Sequence, residues 1–268
     1  MRLRPHRFTV LNYRNILMKP LVLFLTLFLS TGICFAENTR IEFATGEWPP
    51  FSSVKLPEYG RATALVSAIC KAAGINPSYN FFPWKRAELK VAKGEIFAAF
   101  PYAISEERKE LYDFSETLFY GVNMFMYYDQ NPRTSFPITF NVLDDLHGYR
   151  IGVISGSFLV ATLENAGLDF EPTTSIDQSI HKLVAGRLDF FIDDRLVLHD
   201  SIQRLYPNNT QQFRFLSRPF GKKTPTGLLV SRSYPGAKEI LEKFNQGLAI
   251  IKQNGEYDRI IQKYHMTK

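Results

Sequence analysis

Residues 144–157 read DDLHGYRIGVISGS and mark a strand-to-helix transition in the middle of the chain. The apolar run in Arg150–Ile154 predicts a buried strand, and the small residues 155–157 predict the start of a helix that continues to about Ala166. A strand that leads directly into a helix is the repeating unit of an open α/β sheet.

The same alternation continues on both sides of this stretch. Before it, the sequence predicts strands at Ile41–Thr45, Pro77–Phe82 and Ile96–Phe100, helices at Arg61–Ala73 and Trp84–Lys93, and one long aromatic-rich strand at Glu116–Tyr128. After it come predicted helices at Ile176–Ala185, Asp194–Leu205, Ala237–Gln253 and Glu256–Tyr264, and extended segments at Leu188–Ile192, Phe213–Leu216 and Thr226–Ser231. We therefore expect an α/β protein.

Composition and charge exclude two broad classes of protein. A hydrophobic content of 45% with 22% charged residues argues against an intrinsically disordered chain. The net charge of +6 arises mostly in residues 1–36, which hold five basic residues and no acidic one. The rest of the chain is nearly neutral, so we expect no nucleic-acid partner. The length of 268 residues allows one large domain or two lobes.

The N-terminus has the pattern of an export signal. Lys19 precedes the apolar run Leu21–Leu29, and small residues lead to a cleavage site after Ala36. The apolar run is shorter than the roughly 20 residues of a membrane span. The sequence predicts removal of residues 1–36 and a periplasmic product; an uncleaved anchor and a start at Met18 remain alternatives.

Signatures of most enzyme and metal sites are missing from the sequence. There is no glycine-rich phosphate loop and no dinucleotide fingerprint, and the histidines are scattered. After cleavage the chain keeps one cysteine, Cys70, which lies on the apolar stripe of a predicted helix and is expected to be a buried, inert thiol. We expect no cofactor and no metal.

A series of short motifs, each weak alone, follows a characteristic order. They are Gly46–Phe51 (GEWPPF), Gly94 before a strand, Ser105–Arg108 (SEER) with Asp113–Ser115 (DFS), Asp145–Val153 leading to Gly156-Ser157, Gly186–Asp189 (GRLD) leading to Asp193-Asp194, Phe244–Leu248 (FNQGL) and Asn254–Tyr257 (NGEY). In this order, over residues 41–264, the chain resembles the bacterial periplasmic solute-binding proteins of family 3, which typically bind polar amino acids.

The resemblance implies a two-lobed periplasmic binding protein fold, in which the second lobe is inserted in the first and two strands form the hinge. The signal would occupy 1–36, the first lobe 37–122 and 227–268, and the second lobe 123–226. The crossing strands would lie at Gly121–Tyr128 and Pro225–Val230. Ligand would be trapped between the lobes by hinge closure.

The resemblance also implies two residues that hold a carboxylate. Arg108 follows a buried strand at the edge where α/β sheets bind ligands, and its planar fork suits a carboxylate. In the family this arginine holds the α-carboxylate of the ligand. Ser157 matches the hydroxyl residue that grips the same group from the second lobe. The alternatives are a surface arginine paired with Glu106 or Glu110, and a serine that only caps a helix.

Other positions are expected to complete the site. Asp194 matches the aspartate that receives the ligand ammonium, with a helix cap as its alternative; neighbouring Asp193 should point the other way because strand side chains alternate. Trp48 is expected to cover the ligand, unless it is a core tryptophan. Trp84 and Arg86 open the helix that lines the pocket in the family, although Arg86 is equally consistent with a solvated arginine.

Three departures weaken the assignment to a standard amino acid: a hydroxyl is missing before the arginine, Ile96-Phe97 stands where the family usually has Asp-Ala, and the cleft is expected to be richer in aromatics than usual. The family usually has a small hydroxyl residue shortly before the arginine, whereas Tyr102 and Ala103 stand here. Tyr102 either replaces that hydroxyl or fills pocket volume. The sequence therefore supports a carboxylate-bearing small molecule more firmly than an amino acid, and it does not identify the ligand.

The expected function is non-catalytic capture of a solute for an inner-membrane transporter permease, by a monomer. Two alternatives remain open. One is a periplasmic enzyme of the cyclohexadienyl dehydratase type on the same scaffold, for which Glu47 is the candidate general acid. The other is a sensor or accessory protein that reports ligand to a membrane partner.

Overall fold

The predicted strands assemble into two β-sheets in the computed structural model, which describes Met1 and residues 40–133 and 140–268. In chain order the strands are β1 (Arg40–Thr45), β2 (Asn76–Phe81), β3 (Ala98–Ala103), β4 (Asp113–Phe114), β5 (Phe119–Gly121), β6 (Asn123–Tyr128), β7 (Ile151–Ile154), β8 (Phe170–Thr173), β9 (Phe190–Asp194), β10 (Phe213–Phe215) and β11 (Thr224–Val230). Strands β1 to β5 and β11 form the first sheet, and β6 to β10 form the second.

Both sheets combine parallel and antiparallel neighbours. The first has the order β2-β1-β3-β11-β4, with β5 also paired to β11; β1 is parallel to β2 and β3, and β11 is antiparallel to its partners. The second has the order β10-β6-β9-β7-β8, with β7 parallel to β8 and β9. Parallel neighbours need a crossover connection, usually a helix, so the predicted strand–helix alternation accounts for this arrangement.

Amphipathic helices cover the sheets. They are α1 (Arg61–Ala72), α2 (Trp84–Ala92), α3 (Glu106–Leu111), α4 (Leu159–Asn165), α5 (Ile176–Val184), α6 (Arg195–Leu205), α7 (Ala237–Gln253) and α8 (Glu256–Lys263). Cys70 of α1 is fully buried, as expected, and burial raises the pKa of its thiol to about 12, which keeps it protonated. Helices α1 and α7 approach closely because α7 carries Gly247: a Cβ there would lie 2.5 Å from the carbonyl oxygen of Ile69.

The chain passes between the two sheets at two points, which confirms the two-lobed fold with an inserted second lobe. Residues 116–128 were predicted as one strand, but the chain leaves the first sheet after β5 and enters the second at β6, with Val122 between them. The return occurs before β11, because Phe220 still donates a backbone hydrogen bond to Asn123 of β6 (2.8 Å).

The predicted second crossing at Pro225–Val230 is therefore wrong in detail. All of β11 pairs with strands of the first sheet, so the crossing lies in the preceding loop. The lobe boundaries 37–122, 123–226 and 227–268 stay predictions; sheet membership alone assigns residues 224–226 to the first sheet.

Three short elements were not predicted from the sequence: the two-residue strand β4, strand β8 and helix α3. Strand β8 contains Pro172, which supplies no backbone N–H, but β8 lies at the edge of its sheet, where the lost donor is tolerated. Helix α3 has six residues and presents no buried side chain, so it has no apolar stripe to detect. Helix α4 begins at Leu159, two residues after the predicted start at Ser157.

Buried aromatic side chains form much of the core. Phe43 lies within 6.4 Å of the rings of Phe97, Phe100 and Phe244 in the first lobe, and Phe125 packs on Phe190 in the second. One buried cluster includes side chains of both sheets, so the two lobes are packed together. Within residues 40–133 and 140–268, no helix is long and apolar enough to cross a membrane. The predicted export signal and its cleavage site after Ala36 lie outside the described residues.

Candidate functional site

A cavity of about 110 Å³ lies between the two sheets. Both lobes and both crossings contribute to its lining: Trp48, Trp84, Pro101, Tyr102, Ala103, Arg108, Gly121, Asn123, Ile154, Gly156, Ser157, Phe158, Leu159, Asp193, Asp194, Thr224 and Thr226. Six of the seven residues predicted for the site are among them, and Arg86 is not. Their part in ligand binding stays a prediction.

Arg108 extends from the first lobe toward the second. The hydroxyl of Ser105 caps α3 by accepting a hydrogen bond from the Arg108 amide (3.3 Å), which fixes the base of the side chain. The Arg108 guanidinium lies 5.0 Å from the ring centre of Tyr102 and donates a long hydrogen bond from Nη2 to the carbonyl oxygen of Gly156 (3.5 Å). Arg108 therefore bridges the cleft at the turn that carries Ser157.

The acidic neighbour of Arg108 is not one of those expected. Nη2 of Arg108 lies 3.7 Å from Oε2 of Glu88, on α2, whereas Glu106 pairs with Lys109 of its own helix. The Arg108 side chain is 14% exposed and that of Glu88 is 28% exposed. The guanidinium is thus held at the cavity wall by partners at long distances, which a ligand carboxylate can replace with shorter bonds.

Ser157 lies before α4 rather than at its first residue. Its amide donates to the carbonyl oxygen of Ile154 (3.0 Å), and its hydroxyl oxygen accepts from the amide of Leu159 (3.2 Å). The capping role that we considered as an alternative is therefore present. Because a hydroxyl accepts and donates at once, its proton remains able to bond to a ligand in the cavity.

Asp194 is also a helix cap. Its Oδ1 accepts from the amide of Leu196 at the start of α6 (2.8 Å), and its Oδ2 accepts from the amide of Val122 at the crossing (2.8 Å). The residue is 3% exposed. Burial raises the pKa of Asp194, and the backbone hydrogen bonds oppose that rise. Asp194 thus ties the crossing to the second sheet while it lines the cavity.

Asp193 lines the same cavity, contrary to the expectation from strand alternation. Both aspartates belong to β9 and both line the cavity, so alternation along the strand does not by itself decide which of them contributes to the site. Oδ1 of Asp193 accepts hydrogen bonds from Nε1 of Trp48 (3.0 Å) and from the Asp194 amide (2.7 Å). Burial raises the pKa of Asp193 to about 7. The bond to Trp48 joins the two lobes directly.

Aromatic rings form the other wall of the cavity. The Trp48 ring is stacked on Phe51 at 4.5 Å, and Phe51 is stacked on Phe119 at 5.0 Å, so Trp48 is both core-packed and cavity-lining. Trp84 meets Tyr102 edge-on at 5.5 Å, and the Tyr102 hydroxyl donates to the Trp84 carbonyl oxygen (2.9 Å). Because its hydroxyl proton is used this way, Tyr102 contributes mainly volume and ring surface.

The glycine of the GEWPPF motif makes room for one of these rings. A Cβ on Gly46 would lie 2.5 Å from Cε2 of Trp84, so the indole can rest on the backbone only at a glycine. This contact could not be read from the sequence, since the two residues belong to different elements.

Arg86 and Glu47 do not reach the cavity. Arg86 is exposed, and its guanidinium lies 5.7 Å over the Phe82 ring. Trp84 and Arg86 are two residues apart on α2, so they point to different faces of the helix. Glu47 is exposed and its Oε1 accepts from the amide of Val54 (3.0 Å). The candidate general acid of the dehydratase alternative is therefore outside the cavity.

The sequence analysis missed polar residues at the crossings. Nδ2 of Asn123 donates to Oγ1 of Thr224 (3.1 Å), which connects the outgoing and returning passages of the chain. Thr226 pairs with Ala103 across neighbouring antiparallel strands, so their side chains share one face of the sheet. A hydroxyl therefore stands next to the position where Ala103 lacks one. The signal available in the sequence was the pair of predicted crossings, because both segments pass between the lobes.

The cavity thus has one guanidinium, two carboxylates, several hydroxyls and aromatic walls. This set can bind a small molecule that carries an anionic group and one or more N–H donors. Among the described residues, no three or more histidine, cysteine, aspartate or glutamate side chains are grouped to hold a metal ion.

Comparisons with known proteins agree with this architecture. The chain is 27% identical to an L-arginine-binding protein of Pseudomonas aeruginosa, over 81% of this chain and 84% of the relative. It is 25% identical to the lysine/arginine/ornithine-binding periplasmic protein of Escherichia coli, over 94% and 96%. A histidine kinase sensor domain with similarity to periplasmic binding proteins superimposes with a TM-score of 0.74 at 19% identity, covering 85% of this chain and 97% of that one. The model for bacterial extracellular solute-binding proteins, family 3, matches residues 41–267, and the chain therefore belongs to this family.

Proposed function

We propose that this protein captures an amino acid or a closely related carboxylate-bearing solute in the periplasm and delivers it to the permease of an inner-membrane ABC transporter. The observation that carries the proposal is that Arg108, Asp193 and Asp194 line one cavity between two lobes. The names of two relatives, which refer to arginine, lysine and ornithine, support an amino acid as the solute.

Arg108 is the group that binds the solute carboxylate. A carboxylate removed from water is costly unless it is paired and hydrogen-bonded, and a guanidinium supplies both in one contact. The hydroxyl of Ser157 adds a donor from the second lobe. Thr226 places a hydroxyl next to Ala103, but that hydroxyl donates to the carbonyl oxygen of Thr224 (3.3 Å), so it offers the solute mainly an acceptor. A carboxylate held by residues of both lobes would favour the closed arrangement of the lobes.

Asp194 receives the amine of the solute, with Asp193 beside it. An ammonium has three N–H donors and no acceptor, and the oxygens of Asp193 and Asp194 accept only. Trp48 and Trp84 cover the remaining volume with ring surface, which accommodates the apolar part of a solute and also tolerates a cation.

The proposal extends to the processing, location and oligomeric state of the protein. We infer that the export signal is cleaved, that the product is a periplasmic monomer, and that it does no chemistry. The exposed position of Glu47 leaves the dehydratase alternative without its general acid. The structural neighbour that is a histidine kinase sensor domain makes a sensing role the second candidate, since it shares this fold.

A ligand screen tests the proposal. The protein is purified from the periplasm, refolded to remove bound solute, and screened by thermal shift against amino acids and against amine-free carboxylates. A solute at 100 times its Kd should stabilise the fold by about 2.7 kcal/mol. Arg108→Ala should lose this response, and Arg86→Ala, which removes an exposed arginine outside the cavity, should keep it.

Three results would contradict the proposal. They are the absence of any stabilising amino acid or carboxylate, an unchanged response in Arg108→Ala, and turnover of prephenate or arogenate. Uptake measured in a strain that lacks the gene distinguishes transport from sensing, because only a transport protein is needed for uptake itself.

A further inference from the structure

Asp193 offers an acceptor that the fold itself does not use. The residue is 7% exposed and lines the cavity. Its Oδ1 accepts two hydrogen bonds, from Trp48 and from the Asp194 amide. Its Oδ2 accepts none from the residues that the structure describes. In Asp194, by contrast, each oxygen already accepts a backbone amide.

The charges around the cavity do not balance. The carboxylates of Asp193 and Asp194 and one guanidinium, that of Arg108, line the cavity. Glu88 lies 3.7 Å from that guanidinium, and the charge of Arg195 acts on Asp194, so three acidic groups stand against two basic ones. A solute with one carboxylate and one ammonium is neutral overall and leaves this excess of negative charge in place. A solute with a second cationic group removes it. Unpaired buried charge is strongly unfavourable, so the second class is favoured.

We propose that Asp193 is a specificity-determining residue of this site, whose free Oδ2 binds a second cationic group of the solute and so selects cationic amino acids over neutral ones. This inference rests on the proposed function and deepens it. Trp48 has a supporting role, because its indole N–H holds Oδ1 from the opposite lobe and thereby orients Oδ2. Burial raises the pKa of Asp193 to about 7, and the neighbouring Asp194 carboxylate adds to the rise, which agrees with a carboxylate that has no cationic partner among the described residues.

The test compares solutes of matched shape that differ in charge. Arginine is paired with citrulline, and ornithine with norvaline, and each Kd is measured by calorimetry on refolded protein at pH 8. Wild-type protein should prefer the cationic member of at least one pair by about 10- to 100-fold, the range expected for a hydrogen bond to a charged group.

Asp193→Asn is the diagnostic variant. Asparagine keeps an Oδ1 that accepts from Trp48 and from the Asp194 amide, but it has neither the charge nor a second acceptor. The preference for the cationic member should therefore fall to within about threefold of unity. The matched control is Asp194→Asn, which should weaken both members of a pair alike and leave their ratio unchanged.

The outcomes separate this inference from the function on which it rests. If amino acids bind but wild-type protein shows no preference for the cationic member of either pair, Asp193 does not select charge, and the proposed function still stands. If the preference for the cationic solute persists in Asp193→Asn, Asp193 likewise does not select charge, and the proposed function still stands. If no amino acid binds at all, the inference and the amino-acid assignment are both overturned. The wild-type comparison is decisive even if the variant fails to fold.

Discussion

Replacing Asp193 with asparagine should stabilise the empty protein at neutral and alkaline pH. The wild-type carboxylate is buried beside Asp194 and accepts hydrogen bonds from Trp48 and from the Asp194 amide, but burial dominates and raises its pKa from 3.8 to about 7. Ionised Asp193 is therefore a cost to the folded state that asparagine does not carry. The function of the site explains why such a cost persists, since a binding site need not be optimal for stability.

The sign and the size follow from proton linkage. Because the folded-state pKa lies above the unfolded value of 3.8, the stability from protonated Asp193 is fully present below that pH and is lost as the pH rises through about 7. Each pH unit of the gap corresponds to about 1.4 kcal/mol, so the complete loss is on the order of 4 kcal/mol. Between pH 5 and pH 8, the stability difference between variant and wild type should grow by about 3 kcal/mol in favour of the variant.

Urea unfolding of ligand-free protein at half-unit steps from pH 5 to pH 8.5 measures this difference. Titratable groups that both proteins contain contribute nearly equally to the two unfolding free energies, so their contributions largely cancel in the difference between wild type and variant. Asp169→Asn, at an exposed position of the same lobe, is the control and should stay within about 0.5 kcal/mol of wild type at every pH. A wild-type-minus-variant difference that does not change with pH would refute the assignment of Asp193 as a buried, proton-binding carboxylate.

Three further predictions concern the site, the N-terminus and the packing below the aromatic wall. Arg108→Ala should weaken binding of every carboxylate solute by roughly 2 to 5 kcal/mol. Asp194→Asn should weaken only solutes that carry an amine. If calorimetry shows that Asp194→Asn weakens amine-free carboxylates as much as amino acids, this division is contradicted. Mass spectrometry of the periplasmic protein should show a chain that begins after Ala36, and an intact or lipidated N-terminus would contradict cleavage there. Gly46→Ala should displace the Trp84 indole and destabilise the protein by about 1–3 kcal/mol, because the added Cβ lies 2.5 Å from that ring; unchanged urea unfolding would show that the ring moves freely.

Much of the fold could be predicted because it depends on local patterns. The apolar runs of β1 and β7 and the helical stripe of α1 repeat with the periods of strands and helices, and they appear where the periodicity predicted them, whereas β3 lies at Ala98–Ala103 instead of Ile96–Phe100. The order of short motifs then identified the family, and with it the two-lobed arrangement and the position of Arg108 at the cleft. These features are carried by residues close together in sequence, whose conformations follow from steric preference and burial of one face.

The composition of the cavity wall was decided only by tertiary structure. Trp48 and Asp193 are 145 residues apart, and no periodicity relates them; their hydrogen bond exists because two lobes close on each other. Alternation along a strand predicted that Asp193 points away from the site, but both aspartates at the end of β9 line the cavity, and Asp193 accepts a hydrogen bond there from Trp48. Pairing of β3 with β11 likewise places the hydroxyl of Thr226 beside Ala103. Sequence patterns report which face of an element is buried, whereas the chemistry of a cleft depends on which faces of distant elements meet.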